Sequence, residues 1–217
     1  SFLYIHAQES DAWGSLKEYA RNWNLKMGED WAGPENFNAN TGFPREMVNY
    51  IYNAADCILS TSLGEGFGMY NFEGFATKSI VVAPNNTSHP EIFGYDTNED
   101  ISDMEQLYHR IRGVPVKCMS TLSEWATYGP QDFERIRPLV NTEDAVKKLL
   151  WVYDNPEKVK EITERAYVWV QKYDWKDIAK QWDFLFQKAY ADLEKERAMA
   201  PVIETNTKKE PSANIKK

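Results

Sequence analysis

Between Ser60 and Glu91 the chain reads STSLGEGFGMYNFEGFATKSIVVAPNNTSHPE, and this stretch restricts the fold more than any other. Before it, Cys57-Ile58-Leu59-Ser60 is a short apolar run suited to a strand, and Gly64, Gly66 and Gly68 let the backbone turn sharply afterwards. The spacing predicts a helix from about Gly68, with Met69, Phe72, Phe75 and Ala76 toward a core and Glu73 at the edge of that stripe. Ile80-Val81-Val82-Ala83 is then an unbroken β-branched run, as expected of a parallel strand covered on both faces. Strand, glycine loop, helix and strand in this order predict an α/β chain with a parallel sheet.

The loop also has chemistry. Free N–H groups at a helix start, joined to the amides of Gly66, Phe67 and Gly68, make a concavity suited to phosphate. Glu65 stands at its rim and Glu73 follows one turn into the helix. Two carboxylates beside an anion site suit a ligand that also offers hydroxyl groups, because an ionised carboxylate can only accept hydrogen bonds. A nucleoside diphosphate sugar has hydroxyls at both ends. The bland reading is that strand, glycine loop and helix recur in many α/β proteins with no ligand at the turn.

Two glutamates separated by seven residues around a Gly-Phe-Gly turn, here Glu65 and Glu73 flanking Gly66 to Phe72, resemble the signature of the family-4 retaining glycosyltransferases of GT-B fold. Asn53-Ala54-Ala55-Asp56 before the strand, Thr87-Ser88-His89-Pro90-Glu91 after the next, and Tyr173-Asp174-Trp175 before the last helix resemble that family's blocks in order. The resemblance spans about Phe2 to Tyr190. It implies a Rossmann-like parallel sheet with helices on both faces, one half of a GT-B fold, and long carboxyl-terminal helices. It further implies transfer of a sugar from a nucleoside diphosphate donor to an acceptor hydroxyl with retention of configuration.

By position in the motif, the resemblance makes Glu65 the catalytic residue that holds donor-sugar hydroxyls. Gly66, Phe67, Gly68 and Met69 supply phosphate-binding amides, Glu73 takes the ribose hydroxyls, and Arg45 either stacks on the base or is a solvated arginine on the first helical turn. No metal and no cofactor is implied. Implied partners are the donor, an acceptor glycan, lipid or protein, and a preceding GT-B domain on which the last helix packs, with peripheral membrane association also open. This sequence departs from the family at Lys78, where a glycine is common, and in offering no counterpart of the Arg and Lys that hold the donor diphosphate. The alternatives are a nucleotide-sugar-binding module without activity of its own and, with less support, a sugar-nucleotide epimerase.

The rest of the 217 residues frames this unit. Twenty-five basic against 33 acidic side chains give a net charge of -8, which disfavours nucleic acid as a partner. Cys57 and Cys118 fall in expected strands without disulfide or metal spacing, and no apolar run reaches membrane length, so a reducing, cytoplasmic setting is expected. Phe2 to Ala7 is expected to be a central strand, followed by a helix facing inward through Trp13, Leu16, Ala20 and Trp23. Gly28 to Asn36 reads as a turn-rich connection and Phe37 to Thr41 as a weak strand. A helix from Pro44 has Met47, Val48, Ile51, Tyr52 and Ala55 inward. His6 and His89 read as satisfied histidines, and Lys78 as structural.

Further on, a helix through Met104, Leu107, Tyr108 and Ile111, a strand near Val116 to Met119 and a polar loop to Pro138 are expected. Asn141 caps a helix with Val146, Leu149, Leu150 and Tyr153 inward. A second follows with Val159, Ile162, Ala166, Trp169 and Tyr173, and a third with Trp175, Ile178, Trp182, Leu185 and Ala189. The expected organisation is one nucleotide-sugar-binding Rossmann-like domain over residues 1–193, lacking its first strand and the preceding acceptor domain, and a disordered tail over residues 194–217.

Overall fold

A computed structural model describes residues 1–11, 14–35, 37–38, 40–119, 125–127 and 136–199. The chain divides into two compact units, Ser1–Val170 and Gln171–Lys217. Among the described residues no helix is long and apolar enough to cross a membrane.

The first unit is α/β. Its main sheet runs β5 (Cys57–Leu59), β6 (Ile80–Pro84) and β7 (Val114–Val116), all parallel, with Cys57 opposite Ile80 and Val82 opposite Val114. Crossovers pass through α3 (Met69–Ala76) and then through α4 (His89–Phe93) and α5 (Met104–Leu107). The centre is β6, which α3 and α7 (Pro156–Val170) both touch, and every one of its residues is buried. Around it gather Phe75, Phe93, Leu107, Ile111 and Ile162, all at or below 1% exposure. The expected strand at Val116 to Met119 lies two residues earlier, because Val114 is the residue in register with β6.

Gly74 sets the distance between α3 and the sheet. A Cβ there would stand 2.5 Å from Ile58 Cδ1 and 2.8 Å from Val81 Cγ2, so only the bare backbone fits. This close approach rotates the helix relative to the expected face. Asn71, Gly74 and Phe75 are buried and Phe72 is half-buried, while Met69 and Ala76 are exposed.

The amino-terminal segment differs from expectation. Phe2 to Ala7 yields a two-residue strand, β1 (Leu3–Tyr4), which is exposed and pairs in parallel with β4 (Trp31–Ala32). The strand partner therefore comes from the stretch read as a turn, while the described part of Phe37 to Thr41 is itself a turn. There Asn38 Oδ1 accepts from Asn40 N at 2.8 Å and the Asn38 carbonyl accepts from Gly42 N at 2.8 Å, an Asn-led turn that competes with strand pairing. A small antiparallel pair, β2 (Ser10–Asp11) with β3 (Gly14–Ser15), leads into α1 (Leu16–Asn22), where Ala20 is buried and Trp23 is 79% exposed. Trp13 lies outside the described residues.

Helix α2 (Arg45–Ala54) follows Pro44 and keeps Val48, Ile51 and Tyr52 half-buried, with Met47 exposed. The stretch expected to be a polar loop contains an antiparallel pair, β8 (Trp125–Thr127) with β9 (Ile136–Pro138). Helix α6 (Thr142–Asp154) is capped by Asn141, whose Oδ1 accepts from Asp144 N at 2.9 Å. Its inward face carries Ala145 and Lys148, whereas Val146, Leu150 and Tyr153 are exposed. Lys148 reaches inside to donate to the Ile101 carbonyl at 2.5 Å.

The second unit contains α8 (Trp175–Met199), none of whose residues is buried. Its helix runs six residues past the expected boundary at 193. The remainder of the expected tail, 200–217, lies outside the described residues.

Candidate functional site

The glycine loop leaves the carboxyl end of β5, the edge at which open parallel sheets bind ligands. Gly68, the N-cap of α3, has φ +71°, a left-handed conformation that glycine adopts without strain. It turns the chain directly into the helix. Among the described residues, the N–H groups of Gly66, Phe67, Gly68 and Met69 have no acceptor. A Cβ on Gly66 would meet nothing within 4 Å, so the loop is open there. Phe67, 54% exposed, stacks on Phe72 with centroids 4.4 Å apart, which holds its backbone in place.

The turn after β6 braces this loop. Glu65 N donates to Thr87 Oγ1 at 2.9 Å, and Asn86 Nδ2 donates to the Ser62 carbonyl at 3.2 Å. Behind them His89 is wholly buried. Its Nδ1 lies 3.1 Å from the Asn86 carbonyl, which can only accept, so Nδ1 carries the proton and Nε2 accepts from the Tyr70 hydroxyl at 2.5 Å. Burial holds the His89 pKa below its usual value, with the neighbouring Glu65 carboxylate opposing, and burial pushes the Tyr70 phenol up to about 12. The expectation of a satisfied histidine at this position matches its contacts.

Glu73 is half-buried one turn into α3, with its carboxylate near the Tyr52 hydroxyl of α2. Burial and that carboxylate raise the Tyr52 pKa. Asn71, fully buried, donates Nδ2 to the Gly68 carbonyl at 3.0 Å, while its Oδ1 has no partner among the described residues. Glu65, Gly66, Phe67, Gly68, Met69 and Glu73 thus share one loop and helix start. Arg45 is exposed at the first position of α2, and no hydrogen bond or ion pair among the described residues ties it to the loop.

Lys78 lies at the far end of α3, where it pairs with Glu164 at 2.8 Å, as a structural residue should. Sequence reasoning missed Arg137 of β9. A Cβ on Gly64 would collide with the Arg137 guanidinium, whose Cζ would stand 3.3 Å away, so this cation rests on the glycine loop. Its segment shows no periodicity, and the chain beside it is held where β7 ends: Met119 N donates to the Leu139 carbonyl and Asn141 N to the Lys117 carbonyl, each at 2.8 Å.

No family model and no curated protein matches the sequence. Solved structures do. The sucrose-phosphate synthase of Thermosynechococcus elongatus superimposes with a TM-score of 0.59 at 16% identity, over 88% of this chain and 38% of that chain. The fold is the Rossmann-like half of a GT-B architecture. Two further structures match at a TM-score of 0.46. One is the carboxyl-terminal domain of a glycosyl transferase group 1 family protein from Francisella tularensis, at 18% identity over 73% of this chain and 60% of that one. The other is a glycosyltransferase from Rickettsia africae, at 16% identity over 79% and 42%. At these identities the likeness speaks to fold alone, and the chain spans 38% of the length of the synthase.

Proposed function

We propose that these residues form the donor side of a glycosyltransferase that moves a sugar from a nucleoside diphosphate to an acceptor hydroxyl with retention of configuration. The observation that supports this reading is the row of amides from Gly66 to Met69 without an acceptor among the described residues, flanked by the carboxylates of Glu65 and Glu73. As the glycosidic bond breaks, negative charge builds on the departing diphosphate. Fixed amide dipoles and the start of α3 are aimed at such charge and need no reorganisation when it appears. Glu65 takes donor-sugar hydroxyls, and Glu73 takes the ribose.

Neither glutamate is assigned as a nucleophile. Transfer is proposed for the whole protein, acting with a preceding acceptor domain, and this chain supplies donor binding. Titration with UDP, GDP and ADP tests it. Glu73→Ala should weaken the preferred diphosphate about ten- to a hundredfold, the size of a charged hydrogen bond. Glu65→Ala should spare nucleotide affinity and depress transfer in the whole protein. Equal affinities of parent and Glu73→Ala would remove Glu73 from the site.

A further inference from the structure

We infer that Arg137 is the phosphate-binding cation of this site. The inference rests on the donor reading above and adds the residue that the motif leaves unfilled. A diphosphate brings at least two negative charges to a loop that already carries Glu65 and Glu73. Amides at a helix start offset about half a charge, so a cation is needed beside them. One cation near this motif in sequence is elsewhere: Lys78 is bound to Glu164 at the opposite end of α3.

Arg137 reaches the loop through structure. Ala126 of β8 pairs with Arg137 of β9, and the Arg137 side chain lies over Gly64, one residue before Glu65 and two before the open Gly66. Gly64 lacks a Cβ at the point where the guanidinium lies, so any other residue there would displace it. A planar guanidinium matches two phosphate oxygens at once, which an ammonium cannot do. Residues 139–141, bonded to 117–119 just past β7, hold β9 so that this fork lies on the loop.

The test uses the full chain with Arg137→Met, which keeps the aliphatic stem, and Arg137→Lys, which keeps the charge. Each is titrated with UDP, GDP and ADP and with the matching nucleosides, and melting curves check folding. Arg137→Met should lose about ten- to a hundredfold in affinity for the preferred diphosphate and nothing for its nucleoside. Arg137→Lys should fall between the two, and the salt dependence of diphosphate binding should flatten in Arg137→Met. A parent that binds diphosphate together with an unchanged Arg137→Met overturns the inference and leaves the donor reading standing. Equal losses for diphosphate and nucleoside also overturn it, since they make Arg137 a prop of the loop. A parent that binds none of the three diphosphates overturns both.

Discussion

β6 and β1 are written in the same alphabet. Ile80-Val81-Val82-Ala83 and Phe2-Leu3-Tyr4-Ile5 are both unbroken apolar runs, yet Ile80 to Ala83 are at most 1% exposed while Phe2, Leu3 and Tyr4 are 56%, 45% and 37% exposed. The difference lies in neighbours. β6 has a strand on each edge and helices α3 and α7 against it, whereas among the described residues β1 pairs with β4 alone. An apolar run states that a segment gains by being covered. Whether it is covered depends on residues far away in the chain, because a parallel strand is buried only when both edges and both faces have partners.

The largest expected effect tests that contrast directly. Phe93 is wholly buried between His89, Phe75 and Gly113, so Phe93→Ala should cost about 3 to 5 kcal/mol by removing a ring and leaving a cavity. Leu3→Ala removes a side chain that already meets solvent and should stay within about 1 kcal/mol. Chemical denaturation of the two variants compares them. Similar losses would break the comparison and mean that β1 contributes to the cooperative core.

A second, smaller effect concerns protons in the buried half. His89 is held neutral by burial between the Tyr70 hydroxyl and Asn86, with Glu65 as the facing carboxylate, and its pKa lies below the usual 6.5. As pH falls through 6.5 the unfolded chain takes up a proton at this position that the folded chain still refuses. The unfolded state then binds more protons, so stability must drop on acidification, with a slope of at most about 1.4 kcal/mol per pH unit. Stability should be full above 6.5 and fall between there and the lowered folded value. His89→Gln, which can still bond Asn86 and Tyr70, should flatten the profile in that window. An unchanged profile would assign the acid sensitivity to other groups.

Much of the candidate site was legible because its signals are local. The strand before Ser60, the turn at Gly66 to Gly68, the helix at Met69 and the strand at Ile80 each follow from side chains within a few positions. Rotation of α3 was not legible, since it is set by Gly74 meeting Ile58 and Val81 across the sheet. The same holds for α6, whose buried Lys148 finds its acceptor at Ile101, 47 residues away. Arg137 was invisible for the strongest version of this reason. Its relation to Gly64 spans more than seventy residues, and nothing in Ile136-Arg137-Pro138 announces it. Trp31-Ala32 was hidden differently, because its pairing with β1 runs through a segment that is rich in turn residues.

The smallest effect expected lies at the seam that locks α3 onto α7. Lys78 has φ +60°, and its N–H reaches the Phe75 carbonyl at 3.3 Å while Ser79 N reaches the Gly74 carbonyl at 3.0 Å, a Schellman ending in which glycine is the usual left-handed residue. Lysine carries about 1 to 2 kcal/mol of strain there. Against it stand an exposed ion pair with Glu164 and a contact of the ammonium with the Tyr167 ring at 4.7 Å, each about 0.5 kcal/mol after screening by solvent. Lys78→Gly gives up both contacts and the strain together, so it should be nearly neutral. Lys78→Ala gives up the contacts and keeps the strain, so it should cost about 1 kcal/mol. The gap between the two variants in denaturant midpoint isolates the backbone contribution from the contacts. If Ala and Gly are equally stable at this position, the left-handed turn carries no strain for the lysine contacts to offset.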